Sequence, residues 1–130
     1  MTMTAPFDPT TKLGYLETVG RVSGQPRETE IWFGYERGTI YILSGGGLEK
    51  DWVRNARKQP RVRFRLGETW VSGTLRIVTD AAEEARARRV VAGKYYGFDP
   101  DGDAPLPNSW SRTATPVAID VDASANTISA

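Results

Sequence analysis

The sequence predicts a mostly β, α+β fold, in which about six antiparallel strands curl into a small barrel accompanied by two main helices. Three observations carry this reading. β-Prone residues recur in six short runs, brief turns rich in glycine join most of them, and only two windows switch to a helical period. Strands joined by short turns pair antiparallel, and a sheet of this size with so few helices curls on itself.

Taken in order, residues 13–19 and 29–35 (TEIWFGY) read as strands. Arg37 and Gly38 turn the chain into TIYILS at 39–44, where Ile40 and Ile42 face one way and Tyr41 and Leu43 the other. After Gly45, Gly46 and Gly47 the period changes. Leu48, Trp52 and Ala56 share one helical face, predicting a helix over about 48–58 that stops before Pro60. RVRFRL at 61–66 alternates strictly, with Val62, Phe64 and Leu66 inward and three arginines outward, and a turn at Gly67 and Glu68 leads to a strand over roughly 69–78. Asp80 with Glu83 forms an N-cap pattern with a reciprocal partner, opening the longest helix, which runs to Gly97. Residues 98–108, FDPDGDAPLPN, form a loop, and 116–121 give a last strand. One domain over 13–122, with tails at 1–12 and 123–130, follows from the length of 130 residues.

Composition narrows the chemistry. The chain has no histidine and no cysteine. Disulfides, thiolate metal sites, cysteine nucleophiles and imidazole bases are therefore excluded, and chemistry must come from a bound cofactor, carboxylates, or Tyr, Lys and Ser. No metal site is expected: Asp99, Asp101 and Asp103 in DPDGD have a calcium-loop look but lack the closing glutamate. A net charge of +1 argues against a surface built for nucleic acid. The N-terminal MTMTAPFDPTTK lacks a basic start with an apolar core, and no apolar run reaches the length of a membrane span, so a cytoplasmic protein without a stable membrane anchor is expected.

Several stretches could carry a site. In TVGRVSGQPRETE, residues 18–30, glycines permit close backbone approach while Ser23, Arg21 and Arg27 offer donors and charge that suit a phosphate. A solvated turn with Arg27 paired to Glu28 or Glu30 explains the same residues equally well. SGGGLEKDW, residues 44–52, runs from a strand end into a helix and points free amides at whatever lies above, although it is neither a Walker loop nor GxGxxG, and a flexible glycine loop explains it equally well. The cations at 54, 57, 58, 61, 63 and 65 are read first as a solvated face and second as an anion site. Trp52 lies on the apolar stripe and reads as core. Tyr95 and Tyr96 cannot both face one core, and Trp32 follows the basic turn, so these aromatics are candidates for a pocket wall.

Together, the GR-x-SG-x-PR turn, the glycine-rich strand end and DWVRNARKQPRVRFRL, with W-x-x-N before a P-x-V strand, resemble the deazaflavin-dependent (coenzyme F420-dependent) nitroreductase family over residues 13–96. The resemblance implies a split β-barrel of the flavin-binding type. It also implies that Arg21, Ser23, Gln25 and Arg27 hold the cofactor's phosphate, that Ser44, Gly45, Gly46 and Gly47 lie along its ring, and that Trp52 and Asn55 belong to the helix after the ring site. Trp32, Tyr95 and Tyr96 correspond to residues that shape the substrate pocket.

The activity so implied is hydride transfer from reduced coenzyme F420 to an activated alkene, quinone or nitro compound. Such a cofactor donates hydride itself, so the protein need only orient and shield it. FMN in the same barrel, or a cofactor-binding protein without turnover, are the alternatives. A small-molecule substrate and no nucleic acid are the expected partners, and a homodimer suits barrels of this type.

Overall fold

The computed structural model describes residues 7–107 and 109–122. The expected tail at 123–130 and the first six residues of the expected N-terminal tail lie outside the described residues. Seven strands form a single antiparallel sheet: β1 (Gly14–Val19), β2 (Pro26–Ile31), β3 (Gly34–Glu36), β4 (Thr39–Ser44), β5 (Arg61–Leu66), β6 (Thr69–Ile77) and β7 (Thr115–Val121). Three α-helices accompany them: α1 (Asp51–Lys58), α2 (Ala81–Tyr96) and the one-turn α3 (Trp110–Thr113).

The strand order β2-β1-β5-β6-β7-β4-β3 places β2 and β3 at opposite edges. Yet only Trp32 and Phe33 separate them in the chain, a span of roughly 10 Å from Ile31 to Gly34. The sheet must therefore curl until its edges approach, which makes it a split barrel. This two-residue crossing corrects the strand expected over 29–35, which is broken at Trp32. β2 also begins earlier, at Pro26, so Arg27 stands on a strand and not in a turn.

The alternation reads onto two cores as expected. Ile40, Ile42, Val62, Phe64 and Leu66 fill the barrel with Leu16, Phe33, Val117 and Ile119, while Tyr41 and Leu43 pack outward under α2 against Ala87, Val90, Val91 and Ala118. At Gly14 the centre of the barrel needs the missing side chain, because a Cβ there would stand 2.3 Å from the Phe64 ring. Phe7 packs edge-on to Phe33 and Tyr35, with centroids 6.0 and 5.2 Å apart, so part of the expected N-terminal tail belongs to the body.

Turns and caps follow local chemistry. Arg37 and Gly38 both have positive φ, 50° and 83°, as a two-residue hairpin turn requires. The helix expected from residue 48 begins as a 3-10 turn at Gly47–Glu49, and α1 itself starts at Asp51. Asp80 caps α2 by accepting from Glu83 N at 2.8 Å, and Gly97 ends it in the left-handed region at φ 78°. The Glu83 carboxylate does not complete the reciprocal cap. It accepts two bonds from Arg76, each 2.7 Å, and one from the Tyr41 hydroxyl at 2.8 Å, because these partners converge on it from β6 and β4. The same arginine reaches Asp120 at 2.7 Å. This network holds the Glu83 carboxyl down to about 2, chiefly through the Arg76 hydrogen bonds, and burial with the Glu83 contact pushes Tyr41 up to about 12.

Candidate functional site

The solvated-face reading of the strand arginines matches the observed pairing. Arg61 binds Asp122 (2.6 Å), Arg63 binds Glu17 (2.8 Å) and Arg65 binds Glu28 (3.1 Å). Arg63 and Arg65 also lie over the Trp70 and Tyr15 rings at 4.0 and 4.5 Å. Glu30 accepts from the Tyr15 hydroxyl at 3.0 Å. These contacts occupy both glutamates that the sequence offered to Arg27.

Period two explains the separation. Arg27, Thr29 and Ile31 lie opposite Thr18, Leu16 and Gly14 in the β1–β2 register, hence on the inner face, whereas Glu28 and Glu30 point outward. Among the described residues Arg27 forms no ion pair, and its guanidinium donates to Ser23 Oγ at 3.3 Å. A hollow of about 520 Å³ opens beside it, lined by Arg21, Ser23, Thr18 and Thr29 on the strand side and by Trp52 and Asn55 of α1.

The basic turn is tightly organised. Gly20 N donates to Gln25 O at 2.8 Å, Gly24 N to Gly20 O at 2.8 Å, and Gln25 N to Ser23 Oγ at 3.1 Å. A Cβ on Gly20 would stand 2.6 Å from Ser23 Oγ, so the serine keeps its place only because residue 20 is glycine. Asn55 is buried and its Oδ1 accepts from Arg21 N (3.1 Å) and Arg21 Nη1 (2.8 Å), while its amide reaches Thr18 Oγ1 at 3.4 Å. Asp51 holds the other side of the same guanidinium at 3.2 Å. Arg21 and Asn55 thus pin the turn to α1, whereas Gln25 contributes backbone atoms to the turn and does not line the hollow. Trp52 is core, as expected, with one edge on the hollow.

A second hollow, about 280 Å³, lies further along the same strand and is lined by Ile31, Trp32, Leu43, Gly45 and Trp110. Of the SGGG loop, only Gly45 lines it, with no atom within 4 Å of where its Cβ would stand. The Ser44 hydroxyl is turned inward and donates to Gly47 O at 2.8 Å, and a Cβ on Gly46 would meet the Lys50 side chain at 2.6 Å. Trp32 stacks on Tyr95 and meets Trp110 edge to face, with centroids 5.8 Å apart.

Tyr95 and Tyr96, the aromatics expected as walls, line neither of these hollows. Tyr95 supports Trp32 from behind, with its hydroxyl accepting from Phe33 N at 3.0 Å and donating to Lys12 O at 2.6 Å, and Tyr96 is exposed. Trp110 went unrecognised in the sequence because nothing local marks it. It is placed by Arg88 of α2, which donates to Ser111 O at 3.0 Å and Ala114 O at 2.7 Å, and by the Ser109 N-cap of α3.

The sequence model of one protein family, described as F420H(2)-dependent quinone reductase, matches residues 6–106. The chain belongs to that family. It is accordingly an oxidoreductase of the coenzyme F420-dependent kind. Trp110 lies just beyond the matched span of the quinone reductase family, so the second hollow has one wall that the match does not cover.

Solved structures agree on the fold. A conserved hypothetical protein, Rv2991 from Mycobacterium tuberculosis, is 26% identical with a TM-score of 0.68, covering 85% of this chain and 72% of that one. An F420-H2 dependent reductase, FDR-A, is 19% identical (TM-score 0.58, 85% of this chain and 93% of that one). A FAD-binding protein from Mesorhizobium loti is 17% identical (TM-score 0.56, 88% and 85%). The last two show the barrel alone. Among the described residues no helix is long and apolar enough to cross a membrane.

Proposed function

We propose that the cationic hollow holds the phosphate-bearing chain of reduced coenzyme F420, and that the aromatic hollow receives a hydride acceptor: a quinone, an activated alkene or a nitro compound. The observation that carries this reading is the inner face of β2. Arg27, Thr29 and Ile31 run along it, so the two hollows are parts of one path roughly 13 Å long from a guanidinium unpaired among the described residues to an aromatic box. An elongated cofactor, anionic at one end and flat at the other, suits such a path.

The residues fit that group. Arg27 has Ser23 beside it and no carboxylate partner among the described residues, and Gly45 leaves backbone open to the edge of a flat ring. The reduced deazaflavin supplies the hydride when bound. Arg27 and Ser23 bind the phosphate by charge-assisted hydrogen bonds, each worth about 1.5–3 kcal/mol when partly desolvated. Arg21, fixed by Asp51 and Asn55, adds positive potential without needing to move. Ile31, Leu43, Trp32 and Trp110 exclude water around the acceptor and hold it flat.

None of the residues lining the aromatic hollow carries an acid. The Ser44 and Tyr95 hydroxyls donate to Gly47 O and Lys12 O. The proton that follows the hydride therefore comes from solvent water at the open side of the groove.

Parallel titrations with coenzyme F420 and FMN test the reading. F420 is expected to bind the tighter, and Arg27→Ala to weaken it by about ten-fold or more with the fold intact. Tighter FMN binding, or unchanged affinity in the Arg27 variant, would overturn it. Binding without turnover of quinones, enones and nitroaromatics would make the protein a cofactor binder.

A further inference from the structure

A third hollow, about 440 Å³, lies between β3, the C-terminal part of α2 and residues 9–12, away from the residues assigned above. Its volume is in the range of small-molecule sites. Lys94 and Lys12 line it, together with Val90, Phe98 and Pro100 as apolar wall.

The charges in this hollow are unbalanced. Lys94 donates to Phe33 O at 3.0 Å and lies 3.4 Å from the Phe33 ring centroid, and Lys12 Nζ reaches Lys94 O at 3.4 Å. Neither lysine makes an ion pair among the described residues. The acids nearby are engaged elsewhere. Glu36, which also lines the hollow, is paired with Arg86, and Asp8 accepts from Thr10 N at 3.0 Å and Thr10 Oγ1 at 2.7 Å. Burial, reinforced by the like charge of Lys12, lowers Lys94 to about 8, which marks an ammonium short of a counter-ion.

Two ammonium groups that form no ion pair among the described residues, beside a carboxylate already held by Arg86 and an apolar wall, describe a receptor for one anionic group on an apolar body. We propose that this hollow is a second ligand site, taking a small organic carboxylate whose charged end is held by Lys94 and Lys12 and whose body packs on Val90, Phe98 and Pro100. A carboxylate accepts from both ammonium groups at once, whereas a neutral amide of the same shape cannot neutralise either. The site stands independently of the cofactor reading, because it shares no lining residue with the cationic hollow.

The test is calorimetric titration of the full chain at pH 7 with benzoate, and with benzamide as its neutral counterpart. Saturable benzoate binding is expected, with benzamide weaker by about ten-fold or more, the ratio that one charge-assisted hydrogen bond carries. Lys94→Met should weaken benzoate by a similar factor, and Arg27→Ala should leave it unchanged. Lys12→Met, which leaves the Lys94 bond to Phe33 in place, provides the same test if Lys94→Met does not fold. No saturable binding, equal binding of benzamide, indifference to the lysine variants, or loss in Arg27→Ala would each overturn the proposal.

Discussion

Tyr95 lies flat against Trp32, the ring centroids 4.4 Å apart and the planes 5° from parallel. Its hydroxyl holds Phe33 N, while the preceding residue, Lys94, holds Phe33 O. Two consecutive residues of α2 thus clamp the crossing that joins the two edges of the sheet, and the same clamp sets the Trp32 wall of the aromatic hollow.

Tyr95→Phe should keep the stack and lose the hydroxyl, leaving Phe33 N without its partner. The expected cost is about 1–2 kcal/mol in urea unfolding, with little change in acceptor KM. Tyr95→Ala should cost more stability and also raise acceptor KM, because Trp32 loses its support.

Trp110→Ala should widen the aromatic hollow while leaving the Arg27 and Ser23 side of the path intact, since Trp110 lines only the second hollow. Steady-state kinetics with a planar quinone should show KM rising by about ten-fold, the equivalent of one aromatic contact of roughly 1.4 kcal/mol.

Arg21→Met should affect both binding and stability, unlike Arg27→Ala. It removes the Asp51 ion pair and one of the two Arg21 bonds to buried Asn55 Oδ1, at an expected cost of about 1–2 kcal/mol. Thermal unfolding of the two arginine variants side by side separates a residue that builds the turn from one that only faces the ligand.

Acid should weaken the fold through Glu83. Its carboxyl is lowered from 4.5 to about 2 by Arg76, so its stabilisation is fully present above pH 4.5 and is lost as pH falls towards 2. Glu83→Gln should be less stable at pH 7 and should show a flatter dependence of the urea midpoint across that window. Asp122 and Glu17, lowered by Arg61 and Arg63, contribute a residual slope that the variant retains.

Lys94 predicts a second rise of stability with pH, in base. Lowered from 10.5 to about 8, it holds its proton less tightly in the fold than in the unfolded chain, so stability should rise with pH from 8. Lys12 and Asp8 act on it from the N-terminal segment. The raised tyrosines at 15, 41 and 95 oppose the trend only above pH 10. Lys94→Met should remove the rise between pH 8 and 10.

Much of the fold was legible because its determinants are local. Alternation in RVRFRL and TIYILS, positive-φ turns at Gly38 and Gly67, and the Asp80 cap with Gly97 each reflect the chemistry of a few adjacent residues. The break at Trp32 was not legible, since TEIWFGY alternates well enough to continue. Only the approach of the β2 and β3 edges demands a crossing there. Glu83 illustrates the same limit: its sequence neighbours suggest a reciprocal cap, but Arg76 and Tyr41 offer stronger partners from other strands.

By itself the sequence determined the barrel class, the absence of imidazole and thiol chemistry, the basic turn, and a family likeness that the quinone reductase match supports. Tertiary structure decided which of these side chains remain free to bind. Among the described residues Arg27 is left without a carboxylate because strand alternation sends Glu28 and Glu30 to the opposite face, where Arg65 and Tyr15 engage them. Trp110 meets Trp32 because α2 carries an arginine to the carbonyls of α3. Partner choice depends on which groups the closed sheet brings within hydrogen-bond reach, and residues 32, 95 and 110 become neighbours only once the sheet has curled.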